Sequence, residues 1–211
     1  MRREFHVRFC EGGGVKFPSA TRRNIYVRSE RAGQRVMAGI TRFITRRLKL
    51  KVNEAKSAVA RPWDRKFLGF SFTHNREPKR RIAPKARQRF KDRVRELTRR
   101  TRGVSLQEMV RQLAEYLRGW RGYFSFCQTP SVLKELDSWV RRRLRCVQWK
   151  QWKRGKRRFA ELRRMGVGKD LAAQTAGSPH GPWRISRSPA LSFAMPDAFF
   201  AKLGLPSLSV R

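Results

Sequence analysis

Acidic residues are few in this chain: 15 Asp and Glu stand against 52 Lys and Arg. The five aspartates, Asp64, Asp92, Asp137, Asp170 and Asp197, are far apart, so no local motif supplies the clustered carboxylates that a two-metal phosphoryl-transfer site needs. Cysteine and histidine are sparser still, with three of each. Cys10, Cys127 and Cys146 form no Cys-x-x-Cys pair, and His6, His74 and His180 are isolated. That spacing excludes a zinc ribbon and a disulfide framework, and all six read as ordinary core or surface residues. No apolar run is long enough to span a bilayer, and no signal-peptide core follows Met1. No membrane partner and a cytoplasmic location are therefore expected. No Ser/His/Asp or Cys/His arrangement stands out, and the residues alone describe a binding protein.

Positive charge is what remains in abundance. A formal net charge of +37 over 211 residues makes the chain repel itself unless a polyanion screens it, and nucleic acid is the obvious one. The cations are interleaved with 23 aromatics (6 Trp, 3 Tyr and 14 Phe), which a disordered basic tail would not carry, so the chain is expected to fold.

Residues 1–20 show no period and contain the triplet Gly12-Gly13-Gly14, with no Gly-Lys-Ser/Thr after it; they read as a loose segment. Asn24–Val27 is a short β-prone run. From about Glu30 to Leu48, Val36, Met37, Ile40, Phe43, Ile44 and Leu48 recur at helical spacing. Leu50 and Val52 suit a brief strand, and Phe67–Phe72 a strand or hairpin arm in which Gly69 permits a bend. Pro78–Pro84 reads as a basic connector and a boundary.

Beyond it the periodicity is helical. Phe90, Val94 and Leu97 form one stripe over residues 85–100. Ser105 and Glu108 are spaced as a capping box before a helix burying Leu106, Met109, Val110, Leu113, Leu117 and Trp120, which Gly119 and Gly122 should loosen. Thr129-Pro130 signals another helix start, followed by Val132, Leu133, Leu136, Trp139, Val140, Leu144 and Val147. Arg141, Arg142, Arg143, Arg145, Lys150, Lys153 and Arg154 give this helix a basic side and are the candidate phosphate contacts. Trp149 and Trp152, three residues apart among those cations, read equally as base-stacking platforms or as core. Apolar clusters from Trp183 to Leu208 are expected to pack back on the helices.

In order and spacing these segments resemble the group II intron reverse transcriptase/maturases of bacteria, from about Asn24 to Leu208. Phe67-Leu68-Gly69-Phe70 is similar to that family's primer grip, and Asn53, Lys56 and Ser57 to the motif before it. Residues from about Phe90 to Lys153, with Gly119, Trp120, Tyr123 and Phe124 as structural markers, resemble the thumb and maturase domain; Gly181-Pro182-Trp183-Arg184-x-Ser186-Arg187 resembles the family C-terminus. The resemblance implies an α+β, mostly α fold: a non-family segment at 1–23, a partial palm at 24–80, a helical thumb/maturase domain at 84–165 and a C-terminal extension at 166–211. It implies group II intron RNA as partner, with a DNA target as a further one, in a bacterial, RNA-associated setting.

One departure qualifies it. Where the family carries a Tyr-Ala-Asp-Asp box for catalytic Mg2+, this chain reads Ser19-Ala20-Thr21-Arg22-Arg23. Arginine cannot coordinate a cation, so no catalytic residue, metal ligand or cofactor is assigned. The expected function is intron RNA binding that assists folding and splicing, by a chain lacking the fingers and first part of the palm. The alternatives are one half of a split RNA-directed DNA polymerase and a non-functional remnant. Arginine codons CGA-CGA contain the aspartate codon GAC one base along, so the nucleotide sequence would reveal a frame-shifted box. Oligomeric state is not legible.

Overall fold

The computed structural model describes residues 5–9, 11–12 and 23–209. Cys10, most of the Gly12–Gly14 triplet and residues 19–22 of the box-equivalent stretch lie outside them. The chain divides into two compact units, residues 1–83 and 84–211. The fold is α+β and mostly helical, as expected.

The N-terminal unit is built on a three-stranded antiparallel sheet. Its central strand is β1 (Phe5–Phe9), flanked by β3 (Arg23–Val27) and, later in the chain, β5 (Ala58–Ala60). The register pairs Val7 with Ile25 on one side and with Val59 on the other. Part of the segment expected to be loose is thus the middle of a sheet. Its pattern is too short to announce a strand, and its neighbours come from distant parts of the chain. A two-residue pair, β2 (Glu11–Gly12) with β4 (Lys51–Val52), lies beside it in sequence.

Helix α1 (Glu30–Arg46) starts at Ser29, whose hydroxyl accepts from the Ala32 amide. Only Gly33 and Ile44 of this helix are buried, and Phe43 is 55% exposed. After β4, the Asn53 side chain accepts from the Lys56 amide and caps a single 3-10 turn, Glu54–Lys56. The Asn-x-x-Lys spacing is therefore a turn cap.

Phe67–Phe70 is a tight turn. Phe67 and Phe70 exchange two backbone hydrogen bonds of 2.9 Å, and the intervening Leu68 and Gly69 both have positive φ, 48° and 79°. A two-residue hairpin turn of this kind requires positive φ at both positions, which glycine adopts freely and leucine at a cost of about 1–2 kcal/mol. The strand itself is β6 (Phe70–Phe72), paired with β7 (Arg80–Ile82). The stretch expected to be a connector thus supplies a strand, held also by Arg81 Nε donating to Ser71 Oγ at 3.1 Å.

Among the described residues the C-terminal unit contains helices and no strand. It comprises α2 (Pro84–Leu97), α3 (Leu106–Phe124), α4 (Pro130–Gln151), α5 (Gly155–Arg164), α6 (Lys169–Ala176), α7 (Pro182–Ile185), α8 (Pro189–Ala194) and α9 (Asp197–Lys202). Ser105 caps α3 by accepting from the Glu108 amide. Glu108 does not complete a capping box; its carboxylate takes Arg111 and Gln112 instead. Helix α3 runs unbroken through Gly119 and Gly122, contrary to expectation: both face open space, and the burial of Trp120 and Phe124 on the opposite side offsets their weak helix propensity. Thr129 precedes α4 without a side-chain capping bond; its hydroxyl meets the Cys127 thiol at 3.2 Å.

Phe90, Trp120 and Phe124 stack in sequence, with ring centroids 4.5 Å apart at each step, joining α2 to α3. Helix α4 buries Leu133, Leu136, Val140, Leu144 and Val147 as its period predicted, and also Asp137, Cys146 and Trp149 off that stripe. It is covered on several sides. Gly166 (φ 86°) ends α5 in the left-handed turn that releases the chain toward α6.

Candidate nucleic-acid interface

An arginine run on a helix that packs on several sides cannot all reach solvent, because successive residues rotate by about 100° around the axis. Here the four arginines of the run are half-buried and engaged. Arg141 Nε lies 3.1 Å from Asp197 Oδ1, an ion pair without the angle of a hydrogen bond. Arg142 donates to the Trp183 carbonyl at 2.9 Å and the Ser186 hydroxyl at 3.3 Å. Arg143 Nε donates to Thr98 Oγ1 at 2.8 Å, and that hydroxyl donates on to the Val94 carbonyl. Arg145 Nε donates to the Met195 carbonyl at 3.0 Å. Burial lowers the proton affinity of Arg142, Arg143 and Arg145, but their hydrogen bonds compensate it and a guanidinium remains charged. These side chains tie α4 to the end of α2 and to α7–α9.

The tryptophan pair is core. Trp149 is 1% exposed and Trp152 2%, with ring centroids 6.1 Å apart. Neither face is open to a base in this conformation, and Arg158 covers Trp149 at 4.6 Å. Gly119 and Tyr123 are on the exposed side of α3, while Trp120 and Phe124 are buried. Phe67 and Leu68 are exposed at their turn.

Of the candidate phosphate contacts, Lys150, Lys153 and Arg154 face solvent and make no ion pair among the described residues. Lys156, next along α5, joins them, as do Arg89 on α2 and Arg99 and Arg100 just beyond it. Arg100 and Lys150 both act electrostatically on the Cys146 thiol, which places these two cations in one neighbourhood; burial nevertheless dominates and pushes that thiol up. The sequence shows seven Arg or Lys on the other faces of residues 87–100 with only Asp92 and Glu96 to pair them, but the Arg141–Arg145 run took the leading part among the candidate phosphate contacts. Where acids do occur they are used locally: Arg93 with Glu96, Arg95 with Asp92, and Arg111 with Glu108 and Glu115.

Among the described residues no three His, Cys, Asp or Glu side chains are placed to hold a metal ion. The described residues thus supply no such group for the Mg2+ of a polymerase, and residues 19–22 of the box-equivalent stretch lie outside them. No helix among the described residues is long and apolar enough to cross a membrane.

The C-terminal unit is thus a strongly basic helical domain, with Phe90, Trp120, Phe124, Trp149, Trp152 and Phe200 buried and solvent-facing cations outside. Residues 87–166 match the family model of the group II intron, maturase-specific domain. The matched stretch runs from within α2 to just past the end of α5 and supports a likeness to the C-terminal region of group II intron maturase/reverse transcriptases. No curated protein matches the chain.

Proposed function

We propose that this chain binds group II intron RNA through its C-terminal unit and assists the folding and splicing of that RNA by holding it, without performing chemistry on it. The maturase-specific match carries the reading. The net charge of +37 and the solvent-facing cations Arg89, Arg99, Arg100, Lys150, Lys153, Arg154 and Lys156 support it. In this reading the Arg141–Arg145 run shapes the domain and the residues around it touch phosphate. Residues 24–80 correspond to part of a reverse transcriptase palm, with the Phe67–Phe70 turn in the primer-grip position.

The test is binding of the full chain to a group II intron RNA and to a length-matched non-intron RNA across a salt series. The Lys150→Glu, Lys153→Glu, Arg154→Glu triple variant should bind at least ~10-fold more weakly, with the slope of log K against log salt shallower by about 2–3 for three lost contacts. Equal affinity for the two RNAs, or an unchanged slope in the triple variant, would overturn the assignment.

A further inference from the structure

Beyond the maturase-specific segment, one tryptophan differs from the rest. Trp183, on α7, is 40% exposed, whereas Trp149 and Trp152 are sealed in the core. It is held from behind. The Arg142 guanidinium lies 3.9 Å from the indole centroid, and the same side chain donates to the Trp183 carbonyl and to Ser186 Oγ. Ser186 Oγ in turn donates to the Trp183 carbonyl at 2.6 Å. The ring is thereby backed by a side chain that is itself anchored to the α7 backbone, which lowers the ordering cost of a contact.

The surroundings are cationic. Arg184 and Arg187 are exposed, and among the described residues neither makes an ion pair. Arg187 is close enough to lower the proton affinity of Arg142, after the larger effect of burial. No Asp or Glu occurs between Asp170 and Asp197. A surface that leaves a large aromatic half-open and surrounds it with unneutralised arginine suits a ligand having both a flat apolar face and a negative backbone.

We propose that Trp183 is a stacking platform for one unpaired RNA base, with Arg142 as its positioning residue and Arg184 and Arg187 holding the adjoining phosphates. The assignment rests on the RNA-binding reading above. It replaces the Trp149–Trp152 pair as the stacking site. An indole stacks on any base, so the platform reads single-strandedness and not sequence. Duplex RNA keeps its bases stacked internally and offers only its phosphates.

The experiment compares the full chain with Trp183→Leu, Trp183→Phe and Arg184→Ala/Arg187→Ala. The probes are a fluorescein-labelled single-stranded 20-mer RNA and a blunt 20-base-pair RNA duplex, read by anisotropy over a salt series. Trp183→Leu keeps an apolar side chain over Arg142 but has no π face. It should weaken single-strand binding about 5- to 100-fold with an unchanged salt slope, and alter duplex binding less than about 2-fold. Trp183→Phe should recover most of the loss. The double arginine variant should weaken both probes and flatten both slopes.

Equal weakening of both probes by Trp183→Leu, or no weakening of either, would overturn the platform while leaving RNA binding intact. Loss of single-strand binding that Trp183→Phe does not recover would also overturn it, and would make Trp183 a packing residue. If the unaltered chain binds neither probe nor intron RNA, the functional reading itself fails. If Trp183→Leu instead abolishes capture of a protein partner with RNA affinity unchanged, the face is a protein-docking site and the proposal is wrong.

Discussion

Asp137 is a buried carboxylate in a chain with few carboxylates, and its removal tests how the C-terminus is held. It is 5% exposed on α4 and accepts from the Leu208 amide at 2.9 and 3.0 Å, the Ser209 amide at 3.0 Å, and the Ser207 and Ser209 hydroxyls at 2.8 and 3.1 Å. Asp137→Ala leaves two outcomes. If the tail stays, the buried Leu208 amide goes unpaired at about 1–3 kcal/mol. If the tail peels away, the amides regain water but the Leu208 side chain, 1% exposed, loses about 1.5–3 kcal/mol of burial. Either route, with the loss of charge-assisted bonds, puts the cost at about 2–4 kcal/mol. Five of the six tryptophans, Trp120, Trp139, Trp149, Trp152 and Trp183, lie in the C-terminal unit, so intrinsic fluorescence during urea unfolding reports on that unit. Deleting residues 207–211 should uncover Asp137, and Asp137→Ala in that background should then cost under ~1 kcal/mol, a coupling of about 1.5–3 kcal/mol. A cost below ~0.5 kcal/mol in the full chain, or the same cost in both backgrounds, would refute the latch.

Three further outcomes follow from the same packing. Arg143→Ala should destabilise the C-terminal unit by about 1–3 kcal/mol in urea, because Thr98 loses its donor, whereas Lys150→Ala should leave stability within ~0.5 kcal/mol; equal effects would contradict the inward role of the run. The Arg111 and then the Gln112 hydrogen bonds hold the Glu108 carboxyl down to about 2 from 4.5. A depressed carboxyl contributes stability above its unfolded value that is lost as pH falls through its folded value, so Tm should drop more steeply between pH 4.5 and 2 in the native chain than in Glu108→Gln; parallel profiles would count against it. Alkylation mapped by mass spectrometry should find Cys127, half-buried, modified before Cys146, which is 9% exposed with its thiol pushed up by burial; the reverse order would show that α4 opens readily.

Long, periodic segments were legible. Leu106 to Trp120 and Leu133 to Val147 specify their own helices and buried faces, because a 3.6-residue period needs no partner to be read. The short strands were not. Phe5–Phe9 gains its place only by pairing with β3 and β5, and Arg80–Ile82 only by pairing with β6. Five or fewer residues carry too few alternations to distinguish a strand from a basic loop, and ladder hydrogen bonds come from chain far away in sequence.

The site divides along the same line. Composition by itself determined that the chain is a polycation with folded aromatics and scattered acids, and motif order alone determined its likeness to intron maturases. Which cations face outward was decided only by tertiary packing. Arg143 and Lys150 are seven residues apart on one helix, about two turns, yet one is bonded to Thr98 and the other is exposed. The same holds for tryptophan: Trp149 and Trp183 both stand among arginines in the sequence, and only the packing of neighbouring helices seals the first and leaves the second open. Local sequence sets the direction in which a side chain leaves its helix. Whether it meets water or another helix depends on contacts between residues tens of positions apart, which no local pattern encodes.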